Sequence, residues 1–67
     1  MAPYLDNSQL PHSVQHVLPS HAQDIYREAF NHALAEYGPD EVRAARVAWA
    51  AVKGSYEKGE GGWVRKP

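Results

Sequence analysis

A chain of 67 residues can build one domain around one thin core, because the surface of a small fold is large relative to its volume. It contains no cysteine, which removes disulfides, thiolate metal sites and cysteine nucleophiles together and fits a reducing compartment. The net charge is −1, with 7 Lys and Arg interspersed among 8 Asp and Glu, so long-range attraction to nucleic-acid or membrane phosphates is weak.

The N-terminal Met1-Ala-Pro-Tyr-Leu-Asp6 lacks a basic region followed by an apolar run, and no stretch approaches the roughly 20 apolar residues of a membrane span. A cytoplasmic monomer without membrane insertion is the expectation. Proline and glycine then divide the chain, one by its missing donor and fixed φ, the other by excess backbone freedom. The first segment, 11–17, is a predicted helix of about two turns between Pro11 and Pro19, with Val14, Val17 and Leu18 as its apolar edge. Such a short helix requires tertiary packing.

The second predicted helix covers 21–37. Ser20 is placed to cap it, and Gln23, three residues on, to complete a capping box. Ala22, Ile25, Tyr26, Ala29, Phe30, Ala33, Leu34 and Tyr37 recur at three- and four-residue spacing as a broad apolar stripe. Gly38 at the C′ position and Pro39 end the helix.

The third helix is expected over 40–56, with Asp40 and Glu41 at the positive end of its dipole and Lys53 near the negative end. Its stripe is Val42, Ala45, Trp49, Val52 and Tyr56, and a second line of Val47, Ala48 and Ala51 suits a central helix contacted on two sides. The short Tyr37-Gly38-Pro39-Asp40 turn folds the second and third helices into an αα-hairpin. Beyond Tyr56 the glycines of Gly59-Glu-Gly-Gly62 preclude a helix, and 57–62 is expected to be flexible. Trp63 and Val64 are costly to leave in water. Either they fold back on the helices, pairing as a short strand with Tyr4-Leu5, or they form a contact surface.

Taken in order, several strings resemble the signature of the ChaB family of small bacterial proteins, whose name is tied to the regulation of cation transport. These are Leu10-Pro11, Val17-Leu-Pro-Ser-His-Ala-Gln-Asp-Ile-Tyr26, Ala29-Phe-Asn31, Val47-Ala-Trp-Ala-Ala-Val-Lys53 and Tyr56-Glu-Lys58. The resemblance spans nearly the whole chain. It implies a compact cytoplasmic fold of three helices plus a small strand pairing, and a protein partner that is a cation/proton antiporter, encoded nearby in some genomes, or one of its regulators. Some viral relatives are connected with single-stranded DNA. This chain departs from many relatives in its short Gly38-Pro39-Asp40 linker, and in having Ala45 where a His often precedes the Val-Ala-Trp string.

Candidate chemistry reduces mostly to structure. His12 and His16 lie four apart, the spacing at which two imidazoles share a metal, with His21 and Asp24 as further donors; capping or solvated histidines are the ordinary case. Ser8, Ser13, Ser20 and Ser55 are the only hydroxyl nucleophiles apart from tyrosine, and none has an evident base, orienting group and oxyanion hole together. Gly59-Glu-Gly-Gly62 lacks the strand before and helix after that a phosphate loop requires. A protein without catalytic residues or cofactor is therefore expected.

Two surfaces remain. Gln23, Asp24 and Asn31 project from the polar side of the second helix as a candidate protein-contact face. Trp63, Arg65 and Lys66 combine an aromatic ring with cations, the combination that stacks bases and pairs phosphates. The sequence reading is thus a mainly α, three-helix domain with a short strand pairing between its N- and C-terminal segments. It acts as a protein-binding regulator, with a nucleic-acid accessory role as the alternative.

Overall fold

Three apolar lines, each with residues four apart, converge on one core: Leu10, Val14 and Leu18; Ala22, Tyr26, Phe30 and Leu34; Ala44, Ala48 and Val52. Spacing by four keeps side chains on nearly the same helical face, so each line becomes a ridge. The computed structural model describes residues 4–67. A single 3-10 turn at Asn7–Gln9 precedes α1 (His12–Val17), α2 (Ser20–Tyr37) and α3 (Glu41–Ser55), and two strands follow, β1 (Tyr56–Gly59) and β2 (Gly62–Arg65). The three expected helices all form, and α2 folds back on α3 as the αα-hairpin. Alanines at Ala22, Ala33, Ala44 and Ala48, all buried, let the two backbones approach closely.

The strand pairing exists, but with a different partner. β2 runs antiparallel to β1, with Trp63 opposite Lys58 and Arg65 opposite Tyr56, rather than beside Tyr4-Leu5. A two-residue loop, Glu60-Gly61, closes this hairpin, and local closure costs far less chain entropy than joining the two ends of the chain. Gly62, with φ at 134°, adopts a backbone conformation that side-chain-bearing residues rarely adopt. Segment 57–62, expected as a flexible connection, is thus most of a strand and its turn.

Helix ends also differ in detail. The residue that caps α2 is Pro19, whose carbonyl accepts from the Gln23 N–H at 2.9 Å; Ser20 is already helical and makes no capping bond. Asp40 does cap α3, its carboxylate accepting from the Arg43 N–H at 3.0 Å. Gly38 ends α2 with φ −55°, outside the left-handed region. Glycine is required there because its N–H reaches the Leu34 carbonyl at 2.7 Å, and an added Cβ would collide with that same carbonyl oxygen.

Of the expected apolar stripes, Val17, Tyr37, Val42 and Val47 stay in solvent. The Tyr37 ring lies under the Arg43 guanidinium at 4.2 Å. Val42 is 66% exposed, since α3 turns Ala44, Ala48 and Val52 to the core and leaves the neighbouring line outside. A chain of aromatic rings crosses the molecule: Tyr4 on Phe30 at 4.9 Å, Phe30 on Tyr26 at 6.1 Å, Tyr26 on Trp49 at 5.3 Å and Trp49 on Trp63 at 5.5 Å. It ties the N-terminal segment to α2, α2 to α3, and α3 to the hairpin. Burial pushes the Tyr26 phenol above its ordinary pKa range, with the nearby Tyr4 adding to the shift. No helix is long and apolar enough to cross a membrane among the described residues.

Candidate functional site

The polar residues of α2 hold the chain's own N-terminal segment. Asn31 meets the Tyr4 backbone with both ends of its amide, Oδ1 accepting from the N–H at 2.9 Å and Nδ2 donating to the carbonyl at 2.7 Å. It thereby substitutes for one rung of an antiparallel ladder. Asp24 Oδ1 accepts from Asn7 Nδ2 at 2.7 Å, and Arg27 Nη1 donates to the Leu5 carbonyl at 3.0 Å. Gln23 Nε2 donates to the carbonyls of Leu18, at 2.8 Å, and Gln15, at 3.3 Å. Gln15 Nε2 in turn donates to the Leu10 carbonyl at 2.6 Å.

These side chains stitch the turn and α1 onto α2, satisfying backbone groups that a segment this short cannot pair internally. Asp6 completes the segment by accepting from the Ser8 hydroxyl and N–H, and those bonds hold its carboxyl below the usual range. Gln23, Asp24 and Asn31, expected as a contact face, thus bond to the molecule's own residues 4–18, Gln23 and Asn31 to backbone groups and Asp24 to the Asn7 side chain.

His12 and His16 are exposed on α1, while His21 Nδ1 lies 3.0 Å from the Tyr56 hydroxyl and joins α2 to β1. No group of three His, Asp or Glu side chains with metal-binding geometry occurs among the described residues.

A second face, built on α3 and the hairpin, is open. Next to the buried line of α3 lie Val42, Ala45 and Trp49, which floor a depression of about 620 Å³ with Ala50, edged by Glu41, Arg46 and Lys53. A second depression of about 390 Å³ shares Trp49 and Lys53 and continues between Val17 at the end of α1 and Lys58, Glu60 and Trp63 of the hairpin. Together they form one groove with an apolar floor. Trp63 forms its wall by packing on Trp49.

Arg65 and Lys66, expected beside Trp63 in a binding cluster, are exposed, and the Lys66 N–H donates to the Ser55 carbonyl at 3.0 Å. Neither lines the groove. Arg46, Lys53 and Lys58 do, and none of them forms an ion pair among the described residues, where the one pair is Asp24–Arg27 at 3.8 Å. The sequence contained a signal for this face, the three- and four-residue spacing of Val42, Ala45 and Trp49 beside a second apolar line. What it hid was that the inward line is Ala44, Ala48 and Val52, which draws one residue from each expected line and one from neither.

Residues 10–66 match the family model described as ChaB. The chain belongs to the ChaB family. A protein of Escherichia coli strain K12 named "Putative cation transport regulator ChaB" is 55% identical, over 87% of this chain and 88% of that protein. A protein of the same name from Shigella flexneri matches to the same extent. A solution structure determined by NMR, titled as that of the putative cation transport regulator ChaB, superposes with a TM-score of 0.85. It is 52% identical and covers 97% of this chain and 100% of that one.

The ChaB-like strings divide between the two sides of the fold. Val17–Tyr26 supplies the core residues Leu18, Ala22 and Tyr26 and the stitching residues Gln23 and Asp24. Val47–Lys53 supplies Ala48 and Val52 to the core and Trp49 and Lys53 to the groove.

Proposed function

We propose that this chain is a small cytoplasmic regulator that binds a protein partner through the α3–hairpin groove and performs no chemistry of its own. The names of its relatives supply cation transport as the context; the partner in this reading is a cation/proton antiporter or one of its regulators. The observation that carries this reading is the groove itself, where the half-buried Trp49 and Trp63 border an apolar depression beside Arg46, Lys53 and Lys58, which form no ion pair among the described residues. Aromatic and basic residues in a concave apolar setting are the usual anchors of protein interfaces. Ser8 and His21, two of the side chains with chemistry to offer, are engaged in a turn and in packing.

The test places a photo-crosslinking residue at Val42 in the groove, or at Leu5 on the other side, both exposed, in cells making the full chain. Nuclease-resistant protein adducts from position 42 and none from position 5 are expected. Equal labelling from both sites rejects the groove, and adducts lost to nuclease favour the nucleic-acid reading.

A further inference from the structure

Resting on that reading, we propose the chemistry of the occupant: an amphipathic α-helix of about three turns that carries acidic residues beside its apolar face. The exposed stripe of α3 runs from Val42 to Lys53, which at ~1.5 Å per residue is about 16 Å, the length of roughly three turns of a facing helix. Val42 and Trp49 stand seven residues apart, the interval at which an aligned helix repeats its own apolar positions. Ala45 and Ala50 flank Trp49 and leave notches beside a large ring, the relief into which side chains spaced by three and four residues insert.

Charge sets the rest of the pattern. Arg46, Lys53 and Lys58 border the two depressions and form no ion pair among the described residues, against two carboxylates, Glu41 and Glu60. An occupant that carries carboxylates beside its apolar face complements the three cations. The apolar floor of Val42, Ala45 and Ala50 also offers nothing to a phosphate backbone.

The experiment selects a displayed library of random 16-residue peptides on the full-length chain, with counter-selection on a Val42→Glu variant. The expected peptides carry apolar residues at three- and four-residue spacing with Asp or Glu between them, and gain helical circular dichroism on binding. Their affinity should fall at least tenfold on Arg46→Glu or Lys53→Glu chains and stay unchanged on Lys66→Glu, which lies outside the groove. Circular dichroism of the variants themselves confirms that these exposed substitutions leave the fold intact. Selected peptides that depend on Val42 but are basic, uncharged or non-helical overturn the proposed occupant and leave a protein-binding groove standing. Recovery of no peptide that distinguishes wild type from Val42→Glu overturns both. Binding of a 12-residue oligo-dT that is lost in Lys53→Glu also overturns the occupant and transfers the groove to nucleic acid.

Discussion

The outer faces of α2 and α3 both carry polar side chains, and they use them in opposite ways. On α2, Gln23, Asp24, Arg27 and Asn31 reach across to the backbone and side chains of residues 4–18. On α3, Arg46 and Lys53 form no ion pair among the described residues and border an apolar depression. A polar residue on a helix exterior is thus poor evidence of a contact surface when a neighbouring segment has backbone groups to satisfy. A cation without an ion-pair partner, beside a half-buried tryptophan that lines a depression, is better evidence.

This contrast makes the two sides separable by mutation. The largest loss is expected from Phe30→Ala, which breaks the aromatic chain at the ring linking Tyr4 to Tyr26. About 3–5 kcal/mol should disappear, enough to unfold much of a marginal domain in a urea titration. Asn31→Ala should follow with about 1–3 kcal/mol, because it strands the Tyr4 N–H and carbonyl. Hydrogen exchange at the Tyr4 amide should accelerate in that variant; unchanged exchange and melting would return Asn31 to the role of a free surface residue.

A pH effect comes next. The Tyr26 phenol is held protonated by burial, so its folded pKa lies above its unfolded one. The stability tied to this shift is fully present below about pH 10 and is lost as pH rises beyond it, while the unfolded chain ionises first. Melting temperatures should therefore decline less steeply above pH 10 in Tyr26→Phe than in wild type. The smallest change belongs to the open side. Val42→Gln should alter stability by no more than about 0.5 kcal/mol in the same urea titration. A loss comparable to that of Asn31→Ala would mean that the groove side is structural too, and the contrast would collapse.

The helices were legible because Pro11, Pro19, Gly38 and Pro39 punctuate the chain and because buried side chains recur every four residues between them. The role of Asn31 was not, since its partner stands 27 residues away and is a backbone group, which no side-chain pattern reports. Ser20 suits a cap by type, yet Pro19 already supplies the carbonyl that opens the helix. For Trp63 the need for burial was readable, but its strand partner was not. The short loop at Glu60-Gly61 decided in favour of β1 over the distant Tyr4-Leu5. The groove was half visible, in that Val42, Ala45, Trp49 and Lys53 follow one helical line. Lys58 joins them only once the hairpin has folded Trp63 onto Trp49.

Both tryptophans lie in α3 and the hairpin, Trp49 edge-on to Tyr26 of α2 and Trp63 against Trp49, which makes intrinsic emission a probe of how these elements pack. Excitation near 295 nm, a wavelength about as selective for indole as the aromatic spectrum allows, reads those two contacts. A denaturation curve followed by fluorescence therefore watches the packing of α3 on α2 and of the hairpin on α3, and ellipticity at 222 nm, to which all helices contribute, watches the whole. If the two midpoints coincide, the stitched and open sides melt as one cooperative unit; if emission shifts first, the hairpin detaches while α1 and α2 remain folded. The same two rings supply a label-free signal for whatever enters the groove.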